Sequence, residues 1–475
     1  MRLRSALLSS VAALALGLPG FHVHAQTATG TPVVVGQRWQ LRSQSMGDVR
    51  PYLVHRPASY DISNARYPVL VVLDGESLFQ HASATADLLA AAGKIPPLLV
   101  VGIPNVDRFR DLDSTAAPGT SAFLKFIRDE LLPTIDRDYR TRPYRILAGH
   151  SYAGLFALYS LIEAPETFRG YVVMAAAFGD NPELPKTVAA FLAAHQDRKL
   201  NAALYLATDN GTGKNLTGAW ELSSYLQDRA ARLLDLRFTL RTNPNESHAA
   251  VPLRSVDEGL RFVFDGWDVA DPFALYEQGG LTAIDKHYAE LSARLGFPVP
   301  VPDEVLFGTF GQLERFKRFP EAEQVINRAL AASPESSTAL YYAARLYAQM
   351  GNQPLMMERL QQALLLSPND PASRSLVEYM KLDASQFASP VRLAAKDLAK
   401  FAGGYGESAV VFQIEQRGDD LRGKTADQEY ELNALSPTKF ACSECGVTVS
   451  FQLDARGKVT GLEFGNGGAK LAKLR

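Results

Sequence analysis

From Tyr67 to Leu73 the chain is an almost unbroken apolar run, and Pro97–Ile103, Tyr144–Ala148, Gly170–Ala175, Ala202–Ala207 and Leu236–Leu240 read the same way. Short runs without a polar face predict strands buried on both sides. Between them, apolar positions recur at helical spacing: through Ala91, and over Thr120–Asp136, Pro185–His195, Leu216–Leu234 and Ser255–Phe264. Ahead of these, Pro32–Arg42 and Pro51–His55 alternate apolar and polar residues, which predicts two antiparallel strands opening a sheet. Strands that alternate with helices imply an α/β fold whose mostly parallel sheet is covered on both faces.

In such sheets ligands bind beyond the carboxyl ends of the strands. Five polar features fall at predicted strand ends: Asp74-Gly75-Glu76, the charged loop Asn105–Thr115, Ser151, Asp209 and His248. Ser151 stands out because Tyr144–Leu158 reads as strand, sharp turn and apolar helix with a hydroxyl at the corner. A serine on such a turn is lifted clear of the sheet, and the helix N-terminus behind it favours developing negative charge. Gly149 and Gly154 supply the small residues that closely approaching strand and helix backbones need, although Ala153 stands where Gly-x-Ser-x-Gly has its second glycine.

Four segments together carry a family resemblance: Tyr67-Pro-Val-Leu-Val-Val-Leu-Asp-Gly-Glu76, Val101-Gly-Ile-Pro-Asn-Val-Asp-Arg-Phe-Arg-Asp111, Gly149-His-Ser-Tyr-Ala-Gly-Leu155 and Glu246-Ser-His-Ala-Ala-Val-Pro252. In this order, over Thr31–Trp267, the chain resembles the esterase family of α/β-hydrolases that includes esterase D, the enterochelin esterases and the feruloyl and acetylxylan esterases. The resemblance implies an acyl-serine mechanism without metal or organic cofactor. It departs at Ala175-Ala176-Ala177-Phe178, where relatives often carry Ser-Pro-Ser, so the acyl or alcohol pocket is not identified.

A serine hydroxyl needs a base, and the base needs an orienting group. His248 lies in the loop after the last predicted strand, in the chain order nucleophile, acid, histidine. His150 adjoins Ser151, and its side chain is expected to point away along the turn. Asp209 is the expected orienting acid, with Glu221 and Glu246 as alternatives; an Asx turn in Asp-Asn-Gly would equally explain Asp209. The resemblance implies an oxyanion hole from the backbone N–H of Tyr152 and that of Gly75 or Glu76. Arg108 and Arg110 either face an anionic or oxygen-rich substrate or pair with Asp107, Asp111 and Asp113 to fix their loop.

Beyond Trp267 the pattern changes. Leu281–Leu295 is helical, and Phe297–Pro302 is a stiff proline-rich connector. Ala329-Leu-Ala-Ala-Ser-Pro334 recurs 34 residues later as Ala363-Leu-Leu-Leu-Ser-Pro368, which is the tetratricopeptide period. About two units are too few for a free-standing solenoid, so this part should pack on a neighbouring domain. From about Leu398 the strand-like runs Ala409–Glu415, Asp420–Gly423, Glu429–Leu435, Val447–Leu453 and Val459–Phe464 predict a small antiparallel β-barrel. The expected organisation is a signal peptide over 1–25, an α/β-hydrolase domain over 26–270, a helix and connector over 271–302, a tetratricopeptide-like segment over 303–385 and a barrel over 395–475.

The signal peptide rests on Arg2 and Arg4 before the apolar run Ala6–Leu18, with Val23-His24-Ala25 as the cleavage site. It implies a periplasmic or secreted protein, and no later run is long enough to span a membrane. In an oxidising compartment Cys442 and Cys445, the sequence's two cysteines, should form a short-loop disulfide. A formal charge of −2 argues against nucleic acid and anionic membrane surfaces as main partners. The expected function is an exported serine esterase acting on a small-molecule or carbohydrate-linked ester, of siderophore type or a phenolic or acetyl ester. The alternative is a decayed hydrolase fold that binds a protein partner through its tetratricopeptide-like segment.

Overall fold

The alternating segments near the start of the chain form β1 (Gln37–Arg42) and β2 (Val49–His55), an antiparallel pair. They open the sheet of a computed structural model that describes residues 33–474, except 62, 116–120, 196–198, 234, 385–386, 388–390, 407–410, 426–427, 443–446 and 466–467. The expected signal peptide over 1–25 therefore lies outside the described residues. The apolar runs follow as β3 (Tyr67–Leu73), β4 (Leu99–Ile103), β5 (Thr141–His150), β6 (Gly170–Met174), β7 (Ala202–Thr208) and β8 (Leu236–Thr242). Among the described residues the strand order is β1-β2-β4-β3-β5-β6-β7-β8, parallel from β4 through β8.

The helices of this domain are α1 (Gly75–Ala91), the short α2 (Arg108–Asp111), α3 (Ala122–Lys125), α4 (Leu132–Asp138), α5 (Tyr152–Glu163), α6 (Leu184–Ala194), α7 (Lys214–Leu233) and α8 (Val251–Val263). A π-helical stretch, Phe126–Leu131, joins α3 to α4. Every residue of β3, β4, β6 and β7 is buried. The two-residue period of a strand sends alternate side chains to opposite faces. Leu70 and Val72 thus join Phe79 and Ala86 of α1 and Val256 and Leu260 of α8, while Val69, Val71 and Leu73 pack with Ile127, Leu155 and Leu222. Continuous apolar strands are what a sheet sandwiched between helices requires.

The chain continues as α9 (Pro272–Glu277), α10 (Leu281–Leu295), α11 (Asp303–Arg315), α12 (Phe319–Ala332), α13 (Ser337–Gln349), α14 (Gln353–Leu366) and α15 (Pro371–Tyr379). Successive starts at 303, 337 and 371, and at 319 and 353, reproduce the 34-residue period of the sequence. Capping repeats as well. Ser336, Asn352 and Asp370 each accept a hydrogen bond from the backbone N–H three residues on, where a helix has no internal acceptor. These helices do not stand alone. Ile326, Ala343 and Leu360 belong to the same buried cluster as α1 and α8, and Phe297 of the connector packs on Tyr144 of β5 with ring centroids 6.0 Å apart.

After α16 (Ala395–Leu398) comes a closed antiparallel barrel of β9 (Gly403–Gly406), β10 (Phe412–Arg417), β11 (Asp420–Lys424), β12 (Glu429–Ala434), β13 (Lys439–Cys442), β14 (Val447–Leu453), β15 (Val459–Phe464) and β16 (Lys470–Lys473). It has three strands more than the sequence pattern marks out. β9, β13 and β16 have four residues each, too few for alternation to register. Phe401, Tyr405, Phe412, Phe440, Phe451 and Phe464 fill the interior. Cys442 is disulfide-bonded; Cys445, the one other cysteine of the sequence, lies outside the described residues. The barrel meets the repeat helices at Glu335, which takes an ion pair from Lys439 and a 2.9 Å hydrogen bond from Thr448.

Candidate active site

Ser151 sits between β5 and α5 with φ 59° and ψ −117°, a conformation that a residue with a side chain adopts only under strain. The cost, about 1–3 kcal/mol, is met by the surrounding backbone. The Ser151 N–H donates to Met174 O at 2.9 Å, and its carbonyl accepts from Ala177 N at 3.2 Å. Strand and helix nearly touch here: a Cβ on Gly149 would lie 2.6 Å from the Ala153 carbonyl carbon and nearer still to its oxygen. Ala153 itself is fully buried in the core. Its methyl is accommodated, so the departure from Gly-x-Ser-x-Gly leaves the turn intact. Tyr152 opens α5, and the first N–H groups of a helix have no partner within it.

The turn after β3 is built in a similar way. Asp74 takes the left-handed conformation (φ 52°, ψ 43°) and accepts from the N–H groups of Ser77 and Leu78, leaving Gly75 and Glu76 as the first two residues of α1. A Cβ at Gly75 would lie 2.6 Å from Ile103 N, so β4 leaves room for glycine alone. Asn105, unremarked in the sequence beyond its place in the charged loop, bridges this turn. Its Nδ2 donates to Asp74 Oδ1 and Glu76 Oε1, both at 2.7 Å.

Asp209 and His248 come from the loops after β7 and β8. His248 Nδ1 lies 2.6 Å from Asp209 Oδ2, and the carboxylate is mostly shielded from solvent. Asp209 Oδ1 accepts from Gly211 N at 2.9 Å, so the Asx turn is present as well and holds the carboxylate in place. Asn210 N donates to Glu246 O at 2.9 Å and ties the two loops together. The alternative acids are engaged elsewhere: Glu221 accepts from Tyr225 on α7, while the Glu246 contact to this loop is through its backbone carbonyl.

His150 does not point away along the turn. Its ring packs against that of His248, with centroids 4.6 Å apart, and Nε2 donates to His248 O at 2.8 Å. Burial, with the neighbouring His248, lowers its pKa below the ordinary histidine value. The sequence position was visible, but β5 runs two residues past its apolar stretch, and that extension carries the ring towards the loop of His248.

Both arginines are committed to carboxylates. Arg108 forms a fork on Asp74, Nε to Oδ1 at 2.7 Å and Nη2 to Oδ2 at 2.9 Å, which raises its pKa. Arg110 pairs with Asp111 and Asp48. Arg110 thus pairs within its loop through Asp111, whereas Arg108 reaches outside the loop to Asp74. Asp111 is buried, paired with Arg50, whose side chain is fully enclosed between Asp48 and the rings of Phe123 and Phe126. Ser151, Asp209, His248, Gly75 and the loop of Arg108 and Arg110 thus sit beyond carboxyl ends of strands, as the topology demands, whereas Glu221 lies within α7. Cavities of about 840 and 580 Å³ lie instead along the β8 edge, lined by Arg237 and Arg294 and by Arg241 and Arg254, and do not include Ser151.

Residues 43–251 match the model of the family described as "Putative esterase". The matched residues run from just before β2 to the start of α8 and lie within the sheet domain. The sheet domain is similar to the iron(III) salmochelin esterase of Escherichia coli O6:H1, 32% identical over 157 residues that make up 31% of this chain and 34% of that protein. It is also similar to the ferri-bacillibactin esterase BesA of Bacillus subtilis, 29% identical over 23% of this chain and 47% of that protein. The chain thus spans about a third to a half of the length of these two relatives. Among solved structures, an IroE-like serine hydrolase from Shewanella oneidensis superposes with a TM-score of 0.51 at 24% identity, over 61% of this chain and 97% of that one, which supports the fold.

Proposed function

We propose that the esterase domain hydrolyses carboxylic esters through an acyl-serine intermediate. The observation that carries this is the 2.6 Å His248–Asp209 contact at the strand edge that also presents the strained Ser151 turn. Asp209 accepts the proton-bearing Nδ1 of His248, which leaves Nε2 free to act as base. Ser151 Oγ attacks the ester carbonyl carbon as His248 takes its proton. The oxyanion is held by the N–H of Tyr152 with that of Gly75 or Glu76. His248 then returns the proton to the leaving alkoxide. Water, deprotonated by the same histidine, releases the carboxylic acid and restores the hydroxyl.

The two named relatives act on siderophores, which favours a siderophore-type ester over a phenolic or acetyl ester on carbohydrate as the substrate class. Export rests on the apolar segment after Arg4. No helix among the described residues is long and apolar enough to cross a membrane. The test is labelling of the purified chain with a fluorophosphonate probe, beside Ser151→Ala and His248→Ala. Adduct at Ser151 that needs His248 is the expected result, and a well-folded chain that takes no label refutes the assignment. A panel of trilactone, feruloyl and acetyl esters then separates the substrate classes.

A further inference from the structure

We propose that Arg108 and His150 are positioning residues, forming a relay that ties the oxyanion turn, the nucleophile turn and the loop of the base into one unit. The inference rests on the esterase reading and adds to it two residues that touch no reacting atom. Three short contacts make the relay. The Arg108 guanidinium forks onto Asp74, immediately before Gly75 and Glu76, at 2.7 and 2.9 Å. Arg108 Nη2 also donates to His150 O at 3.3 Å, immediately before Ser151. His150 Nε2 then donates to the backbone carbonyl of His248 at 2.8 Å.

The far end of the relay is anchored. Arg108 belongs to α2, whose Asp107 side chain caps Arg110 N and whose Asp111 is clamped to the enclosed Arg50. The near end is the part in need of support, since His248 sits in a turn between β8 and α8, outside any strand. A base must meet its nucleophile within a few tenths of an ångström, and a misplacement of about 1 Å costs on the order of 10²-fold in rate. The relay fixes that meeting from the backbone side, while Asp209 fixes it from the ring side. Burial, with the neighbouring His248, also lowers the His150 pKa, which disfavours a positive charge beside His248.

Glutamine at 150 can donate to the same carbonyl, whereas alanine cannot. The experiment compares full-length wild type, His150→Ala, His150→Gln, Arg108→Gln and the Arg108→Gln/His150→Ala double variant. The readouts are the fluorophosphonate labelling rate, kcat and KM on p-nitrophenyl butyrate, and the melting temperature. His150→Ala should lose about 10- to 100-fold in kcat and in labelling, with KM and melting temperature little changed. His150→Gln should recover most of that loss. The double variant should be no slower than the worse single one, because parts of one relay fail together. Wild-type rates in His150→Ala, glutamine no better than alanine, or losses that multiply in the double variant would each overturn the relay. A wild type that neither labels nor turns over is a different failure, one that removes the esterase reading and the relay with it.

Discussion

On the proposed mechanism, Gly149→Ala isolates how the strand–helix corner places Ser151. The added methyl would lie 2.6 Å from the Ala153 carbonyl carbon and 3.1 Å from Gly154 N, where ordinary contact begins at 3.4 Å. These are backbone atoms, so no side chain can swing aside, and α5 must move back from β5 by about 1 Å. Overpacking of this kind costs about 1–3 kcal/mol. Because Ser151 is the residue between the two elements, the same shift carries Oγ with it and should slow acyl transfer on the order of 10²-fold. Gly154→Ala is the milder comparison: its nearest neighbours would be Ala176 Cα and Cβ at 3.2 Å, an overlap of only a few tenths of an ångström. The assay is the fluorophosphonate labelling rate together with urea unfolding. Gly149→Ala is expected to fall in both and Gly154→Ala to stay within about threefold of wild type in rate. If Gly149→Ala labels at the wild-type rate, backbone contact does not set the Ser151 geometry and this account of the corner is wrong.

Asp209→Asn should lower kcat on the order of 10³-fold or more while leaving KM close to wild type, since an amide facing Nδ1 favours the tautomer with its proton on Nε2; a loss under tenfold in steady-state ester hydrolysis would assign His248 another orienting group. Asp111→Ala leaves the enclosed Arg50 with Asp48 at 3.3 Å as its carboxylate partner among the described residues and should cost about 3–5 kcal/mol in urea unfolding. A double replacement of Arg50 and Asp111 by apolar residues of similar size should cost less, and equal losses would contradict this view of the buried pair. Burial raises the pKa of Glu335, but the hydrogen bonds from Lys439 and Thr448 outweigh it and hold the net value below the usual 4.5. Its folded value is depressed, so the contact stabilises the fold above the unfolded value and is lost as pH falls from 4.5 through the folded value. Melting curves taken down this range should show wild type losing stability that Glu335→Gln never had, and parallel curves would remove Glu335 from the acid response.

Much of the architecture was legible from pattern because its physics is local. A strand buried on both faces must be apolar throughout, as Tyr67–Leu73 is, and a helix against a sheet must repeat its apolar face. The strand ends that should carry chemistry followed from the alternation of elements, and Ser151, Asp209, His248 and Gly75 all lie there. The barrel was legible only in part, since a four-residue strand such as Lys439–Cys442 is defined by its partners across the ladder and not by its own sequence.

By itself, the order of residues determined which segments become strands, helices and turns, and which polar side chains stand at one edge of the sheet. The 34-residue period likewise set the helix starts from Asp303 to Pro371. Only the tertiary structure decided which of those side chains meet. Asp209 could have been no more than an Asx turn, and the approach of two loops far apart in sequence put His248 against it. His150 was expected to face away, and an extra turn-ward extension of β5 brought it to the loop of His248 instead. Arg108 had carboxylates beside it in its own loop, yet it reaches Asp74, 34 residues back along the chain. Contacts of this kind depend on how loops from separate strands converge, and that distance is set by the packing of the sheet and its helices, which no local spacing encodes.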